Sequence, residues 1–105
     1  MTPEGAIQKA ITDWLSTLPG CWFYKVHAQK PGKNGSQKTG VPDLTLESRR
    51  HGRVWIEIKT PKGTLTDSQK REIPKMQAAG ATVIIVRSLE ELRDALDALE
   101  VGDYL

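Results

Sequence analysis

The sequence is poor in residues that staple or anchor a chain: among 105 residues there are one Cys, two Met, one Phe, two Tyr and two His. Cys21 alone allows no intrachain disulfide, and with only His27 and His51 beside it the usual four ligands of a structural zinc site cannot be assembled. A membrane-spanning helix needs about 20 consecutive apolar residues, and no such run exists, so no membrane partner is expected. Glu4, Gln8, Lys9 and Asp13 interrupt the N-terminal stretch, which therefore lacks the apolar centre of a secretory signal. The expectation is a cytoplasmic chain forming one small domain over residues 1–105, held by packing alone.

Charge is abundant but unevenly placed. Residues 1–62 hold ten Lys/Arg against five Asp/Glu, a net +5, whereas residues 63–105 hold five against eight, a net −3. The first part of the chain is thus suited to an anionic partner. Residues 29–42 form a basic stretch rich in Gly and Pro with Lys30, Lys33 and Lys38, which reads as a long loop. Within it, Gly32-Lys33-Asn34-Gly35 lacks the spacing of a phosphate-binding loop, so no nucleotide cofactor is expected.

Hydrophobic spacing orders the rest. Thr2-Pro3 followed by Ile7, Ile11, Trp14, Leu15 and Leu18 predicts a capped helix over 3–18, and the aromatic run from Trp22 predicts a strand over 22–28. Asp43–Ser48 and Arg53–Lys59 alternate around a short turn ending in Gly52, the pattern of a β-hairpin. For Leu44 and Leu46 to share a sheet face with Val54, Ile56 and Ile58, opposed residues must have numbers of even sum. A sum of 100 sets Leu46 opposite Val54 and Asp43 opposite Glu57; a sum of 102 sets Asp43 opposite Lys59. Thr66-Asp-Ser-Gln69 predicts a capping box opening a helix to residue 79, kinked or broken at Pro74 and ended by Gly80. Thr82–Val86 reads as a buried strand, and Ser88-Leu-Glu-Glu91 as a second capping box for a final helix with Leu92, Ala95, Leu96 and Leu99 on its apolar stripe. The order is αβββαβα, an α/β class with a mixed sheet.

Glu57 and Lys59 lie two apart on one strand and so project from the same face, and either register brings Asp43 beside them. Two adjacent carboxylates repel and raise at least one pKa unless a cation lies between them. Mg²⁺ accepts oxygen ligands of this kind, commonly with substrate phosphate, and a neighbouring lysine can contact phosphate or orient the attacking water. Acid, acid and base at this spacing describe metal-assisted phosphodiester hydrolysis. Taken singly, Glu57 and Lys59 also fit a solvated strand face; the combination with Gly40-Val41-Pro42-Asp43 and the lysine-rich loop favours the site.

Gly40-Val41-Pro42-Asp43-Leu44, Trp55-Ile56-Glu57-Ile58-Lys59, Gly63–Gln69 and Gly80–Val86 with Ser88–Glu91 together resemble the VRR-NUC domain of the PD-(D/E)xK nuclease superfamily. The resemblance covers nearly the whole chain and implies a restriction-endonuclease-like fold, a central mixed sheet flanked by helices. It implies an endonuclease dependent on Mg²⁺ or Mn²⁺, with Asp43 and Glu57 as metal ligands and Lys59 as the catalytic lysine. Glu4 maps onto the family's acidic residue of the first helix, as a metal ligand, although the helix dipole alone also favours it there. Gln69 maps onto a site glutamine, although a capping box alone also explains it. Where the family reads Val-Arg-Arg this chain has Val86-Arg87-Ser88, leaving Arg87 a weaker candidate.

The resemblance to small virus- or bacterium-encoded members similar to Holliday-junction resolvases implies a homodimer acting on branched DNA in a bacterial or virus-infected bacterial cell. Backbone contact is expected from Lys30, Lys33, Lys38, Arg49, Arg50 and Lys62. The alternative is a non-catalytic nucleic-acid-binding module with a vestigial site. Cys21 reads as a core residue, His27 as a strand residue and His51 as a turn residue. Trp55, on the face of Glu57, fits either a base-stacking position or, the preferred expectation, cover for the sheet beneath the first helix.

Overall fold

The structure, a computed structural model, describes residues 1–26 and 39–99. His27, Lys30, Lys33, Lys38 and the end of the strand expected over 22–28 lie outside the described residues. The elements follow the expected order: α1 (Pro3–Leu15), β1 (Cys21–Lys25), β2 (Leu44–Ser48), β3 (Gly52–Ile58), α2 (Asp67–Ala78), β4 (Thr82–Val86) and α3 (Leu89–Leu99). No helix among the described residues is long and apolar enough to cross a membrane.

The four strands lie side by side as β1-β2-β3-β4. The first two pairings are antiparallel and β3–β4 is parallel, the geometry for which α2 provides the crossover. In the hairpin Leu44 faces Ile56 and Leu46 faces Val54, the register of sum 100. Gly52 closes the turn with φ 72°, a left-handed conformation that side-chain-bearing residues rarely adopt. The Ser48 hydroxyl accepts from the backbone N–H groups of Arg50 and His51 and lies 2.8 Å from His51 Nδ1, so His51 is a turn residue, as expected.

This register separates two sheet faces. On one, Leu44, Leu46, Val54, Ile56 and Ile58 pack with Val86, with Ile11 and Leu15 of α1, and with Leu92 and Leu96 of α3. Cys21 packs against this core. On the other face lies α2, tied to the sheet by contacts described below.

Several expectations are corrected. The first helix ends at Leu15 rather than residue 18. The Ser16 hydroxyl donates to the Thr12 carbonyl and the Thr17 hydroxyl to the Trp14 carbonyl, drawing off helix acceptors, while Pro19 disfavours helical backbone at Leu18. Strand β4 is only partly buried: it is an edge strand, and Ile85 is 39% exposed. Trp55 lies against α2, not α1, because α1 occupies the opposite face.

The break expected at Pro74 does not occur: helix α2 runs on through this exposed residue, held at its two ends by its caps. Its capping box is complete, and Gly80, with φ 97°, ends it: Gly80 N–H bonds Gln77 O and Ala81 N–H bonds Met76 O, a Schellman closure. At the start of α3 the Ser88 hydroxyl accepts from Glu91 N–H, but the Glu91 carboxylate takes the N–H of Arg87 rather than that of Ser88.

Candidate active site

Asp43, immediately before β2, is positioned by a glycine. Gly40 has φ 85°, and a Cβ there would sit 2.5 Å from Ser68 O, so only glycine lets this segment pass against the first turn of α2. The Thr39 hydroxyl donates to Ser68 Oγ at 3.1 Å, Pro42 is fully buried, and Asp43 O accepts from Val26 N–H at 2.8 Å. The backbone of the Gly-Val-Pro-Asp segment is thereby held between β1 and α2. From this position Asp43 Oδ2 accepts from the Ile58 N–H at 2.8 Å, which fixes the carboxylate at the end of β3.

Glu57 and Lys59 come from that end of β3. Glu57 is 2% exposed, and its Oε2 accepts from Gln69 Nε2 at 2.8 Å and lies 3.4 Å from Lys59 Nζ. Its other oxygen, Oε1, is buried without a hydrogen-bond partner. Burial, and next the negative charge of Asp43, push the Glu57 carboxyl up from 4.5 to about 7; Lys59 and Gln69 oppose the rise. A buried acceptor left unmatched costs about 1–3 kcal/mol. This face of the sheet is therefore stabilised incompletely by the protein's own groups.

Gln69 serves two functions at once. Its Oε1 accepts from Thr66 N–H at 2.9 Å, closing the capping box, while its Nε2 donates to Glu57. The cap and the site, set against each other in the sequence, are one arrangement: the cap orients the amide that holds Glu57.

Arg87 proves to be a clamp. Its Nη1 donates at 2.6 Å to both Thr60 O and Gly63 O, carbonyls of the turn that leads from Lys59 towards α2. Gly63 N–H bonds Thr60 O within that turn, and Lys59 N–H bonds Val86 O beside it. The sequence marked Arg87 only as a departure from a motif; its two carbonyl acceptors lie 24 and 27 residues away, so spacing gave no sign of them.

The structure thus brings together Asp43, Glu57, Lys59 and Gln69. Glu4 is exposed in the first turn of α1, and among the described residues no three acidic, His or Cys side chains gather as a metal-holding group, so Glu4 does not complete a three-acid set. Lys62 is exposed in the turn after Lys59. Arg49 and Arg50 are exposed in the β2–β3 turn, at the other end of the seven-residue β3 from the acids, about 20 Å away along the strand. They do not belong to the same end of the sheet as the site.

A hard divalent cation fits the two acids. Glu57 Oε1 lacks a partner, and Asp43 and Glu57 repel each other, both of which a cation bound by oxygen ligands would relieve.

Comparison with known proteins follows the same lines. The model of the family described as VRR-NUC domain matches residues 2–90. A solved structure titled "VRR_NUC domain" superposes with TM-score 0.73 at 24% identity, covering 92% of this chain and 97% of its own. A second, titled "VRR_NUC domain protein", gives TM-score 0.75 at 17% identity, covering 94% and 88%. These likenesses establish the shared α/β fold. No curated protein matches.

Proposed function

Since the chain belongs to the VRR-NUC domain family, a nuclease-type family, we propose that it is a divalent-metal-dependent DNA endonuclease hydrolysing phosphodiester bonds. The observation that carries this reading is the half-buried Asp43 set beside the buried Glu57, with Glu57 Oε1 unmatched and Lys59 Nζ 3.4 Å from Oε2. Mg²⁺ or Mn²⁺, held by these two carboxylates, supplies Lewis-acid polarisation of the phosphate and a lower pKa for water. Lys59 contributes a positive charge in a largely buried site, where it orients water by hydrogen bonding and stabilises negative charge developing on the phosphate. Gln69 restrains the Glu57 carboxylate so that Oε1 remains turned away from the amide. Arg87 keeps the Lys59 end of β3 in register with the turn that follows it.

Branched DNA, Holliday junctions among it, is the proposed substrate, bound through phosphate contacts that include Lys62. A homodimer acting in the cytoplasm is part of the same reading. It is supported by edge strand β1, where Trp22 and Tyr24 stack at 6.2 Å between centroids while 60% and 52% exposed, an apolar surface suited to a second copy. A C2 dimer would place two active sites symmetrically, as two cuts in a four-way junction require.

The test is to incubate a labelled four-way junction, a flap and a linear duplex with Mg²⁺, Mn²⁺ or EDTA, alongside Lys59→Ala. Metal-dependent cleavage favouring the branched substrates, and reduced about 10²–10³-fold in the variant, is expected. Binding without cleavage in either metal would instead identify a vestigial site.

A further inference from the structure

We propose that the groove between Trp55 and the C-terminal half of α2 seats a single unpaired nucleobase beside the scissile phosphate. The proposal rests on the nuclease reading and supplies a physical origin for selectivity towards branched DNA. The groove, of about 350 Å³, is lined by Val41, Trp55, Glu72, Lys75, Met76 and Ala79. It adjoins the acids along two separate segments: Trp55 is two residues from Glu57 on the same face of β3, and Val41 is two residues before Asp43. Two residues of strand span about 7 Å, the reach of one sugar between a phosphate and its base. A phosphate at Asp43 and Glu57 therefore leaves its own or the adjoining base over Trp55.

The lining selects a base rather than a second phosphate. Trp55 offers an aromatic face, and Val41, Met76 and Ala79 offer apolar contact, the surroundings in which bases stack regardless of sequence. Glu72, whose side chain is 13% exposed, is paired with Lys75 and Arg71 at 3.6 and 3.8 Å, so the polar part of the lining is a matched set of charges that meets the hydrogen-bonding edge of a base. A base reaches this groove only after leaving its stack, a cost of a few kcal/mol in duplex that is smallest where it is already unpaired. Flaps and frayed ends meet that condition, and the pairs at a junction's branch point open at a lower cost than those within continuous duplex.

The experiment first maps the cleavage position on a flap and on a four-way junction. It then compares substrates in which the nucleotide beside that position carries a base or is a tetrahydrofuran abasic analogue. Wild type should cut the base-bearing substrate roughly tenfold faster in kcat/KM, and Trp55→Leu should bring the ratio towards one. Ala79→Leu, which fills the groove from the helix side, should do the same if Trp55→Leu does not fold. In parallel, the protein labelled with 5-fluorotryptophan is titrated in EDTA with a base-bearing or an abasic oligonucleotide. The Trp55 ¹⁹F resonance should shift with the former and not the latter. Equal cleavage of both substrates by wild type overturns the groove assignment and leaves the nuclease reading standing. If nothing is cleaved, the nuclease reading fails and the ¹⁹F titration decides: a Trp55 signal unmoved by the base-bearing oligonucleotide overturns the proposal.

Discussion

Ile56 and Glu57 are neighbours on one strand and are buried to nearly the same degree, 0% and 2% exposed, yet they serve opposite ends. Ile56 points into a face shared with α1 and α3, where it joins a cluster of buried apolar residues. Glu57 points to the face shared with α2, where one carboxylate oxygen has no partner and another acid lies alongside. Burial by itself therefore does not separate a stabilising residue from a working one. On this strand, the first face lowers the free energy of the fold, whereas the second holds polar groups whose full satisfaction must come from something bound.

The largest expected effect lies on the apolar face. Ile56→Ala should destabilise the fold by about 2–5 kcal/mol, read by urea unfolding. A loss below about 1 kcal/mol would show that this face is not the close-packed core the comparison requires.

On the other face the sign should reverse. The Glu57 pKa is raised from 4.5 to about 7, so the folded state binds more protons than the unfolded chain between these values, and stability falls as pH rises through them. Below pH 4.5 Glu57 contributes no such penalty; above pH 7 the penalty is complete. Each tenfold change in proton affinity corresponds to about 1.4 kcal/mol, so Glu57→Gln should stabilise the metal-free protein at pH 8 by up to about 3 kcal/mol and by nothing at pH 4. Unfolding both proteins across this range in EDTA reads the difference. A variant less stable than wild type at pH 8 would break the contrast between the faces.

Smaller effects sharpen it. Arg87→Ala leaves the Thr60 and Gly63 carbonyls without their charged donor and should cost about 1.5–3 kcal/mol, with hydrogen exchange accelerated in the turn after Lys59 before other regions. Thr66→Ala removes the α2 cap, worth about 1 kcal/mol. Because the same capping box holds Gln69 against Glu57, cleavage should fall by more than the loss of stability explains. A fall in stability with cleavage intact would separate the cap from the site.

What the sequence made legible was local or periodic. Alternation in Leu44–Leu46 and Val54–Ile58 restricted the hairpin to registers that bring Asp43 to the ExK strand, and the turn glycine at Gly52 matches the observed register. Thr66 and Gln69 announced their capping box three residues apart. The misplacements concern where elements settle on the sheet. The cover over Trp55 depends on which face α2 crosses, the exposure of Ile85 on β4 being an edge strand, and the role of Arg87 on two distant carbonyls. None of these leaves a periodic trace. Gly40 is intermediate: its motif was visible, but the Ser68 backbone that forbids a side chain there is a tertiary neighbour.

The central claim is that Asp43 and Glu57 form a face completed by a divalent cation. Its most direct test is the melting temperature at pH 8 with and without Mn²⁺, for wild type and Asp43→Asn. Wild type should be stabilised by about 2.7 kcal/mol at one hundred times the dissociation constant, and the variant should lose most of that rise. An equal rise in both proteins would contradict the assignment.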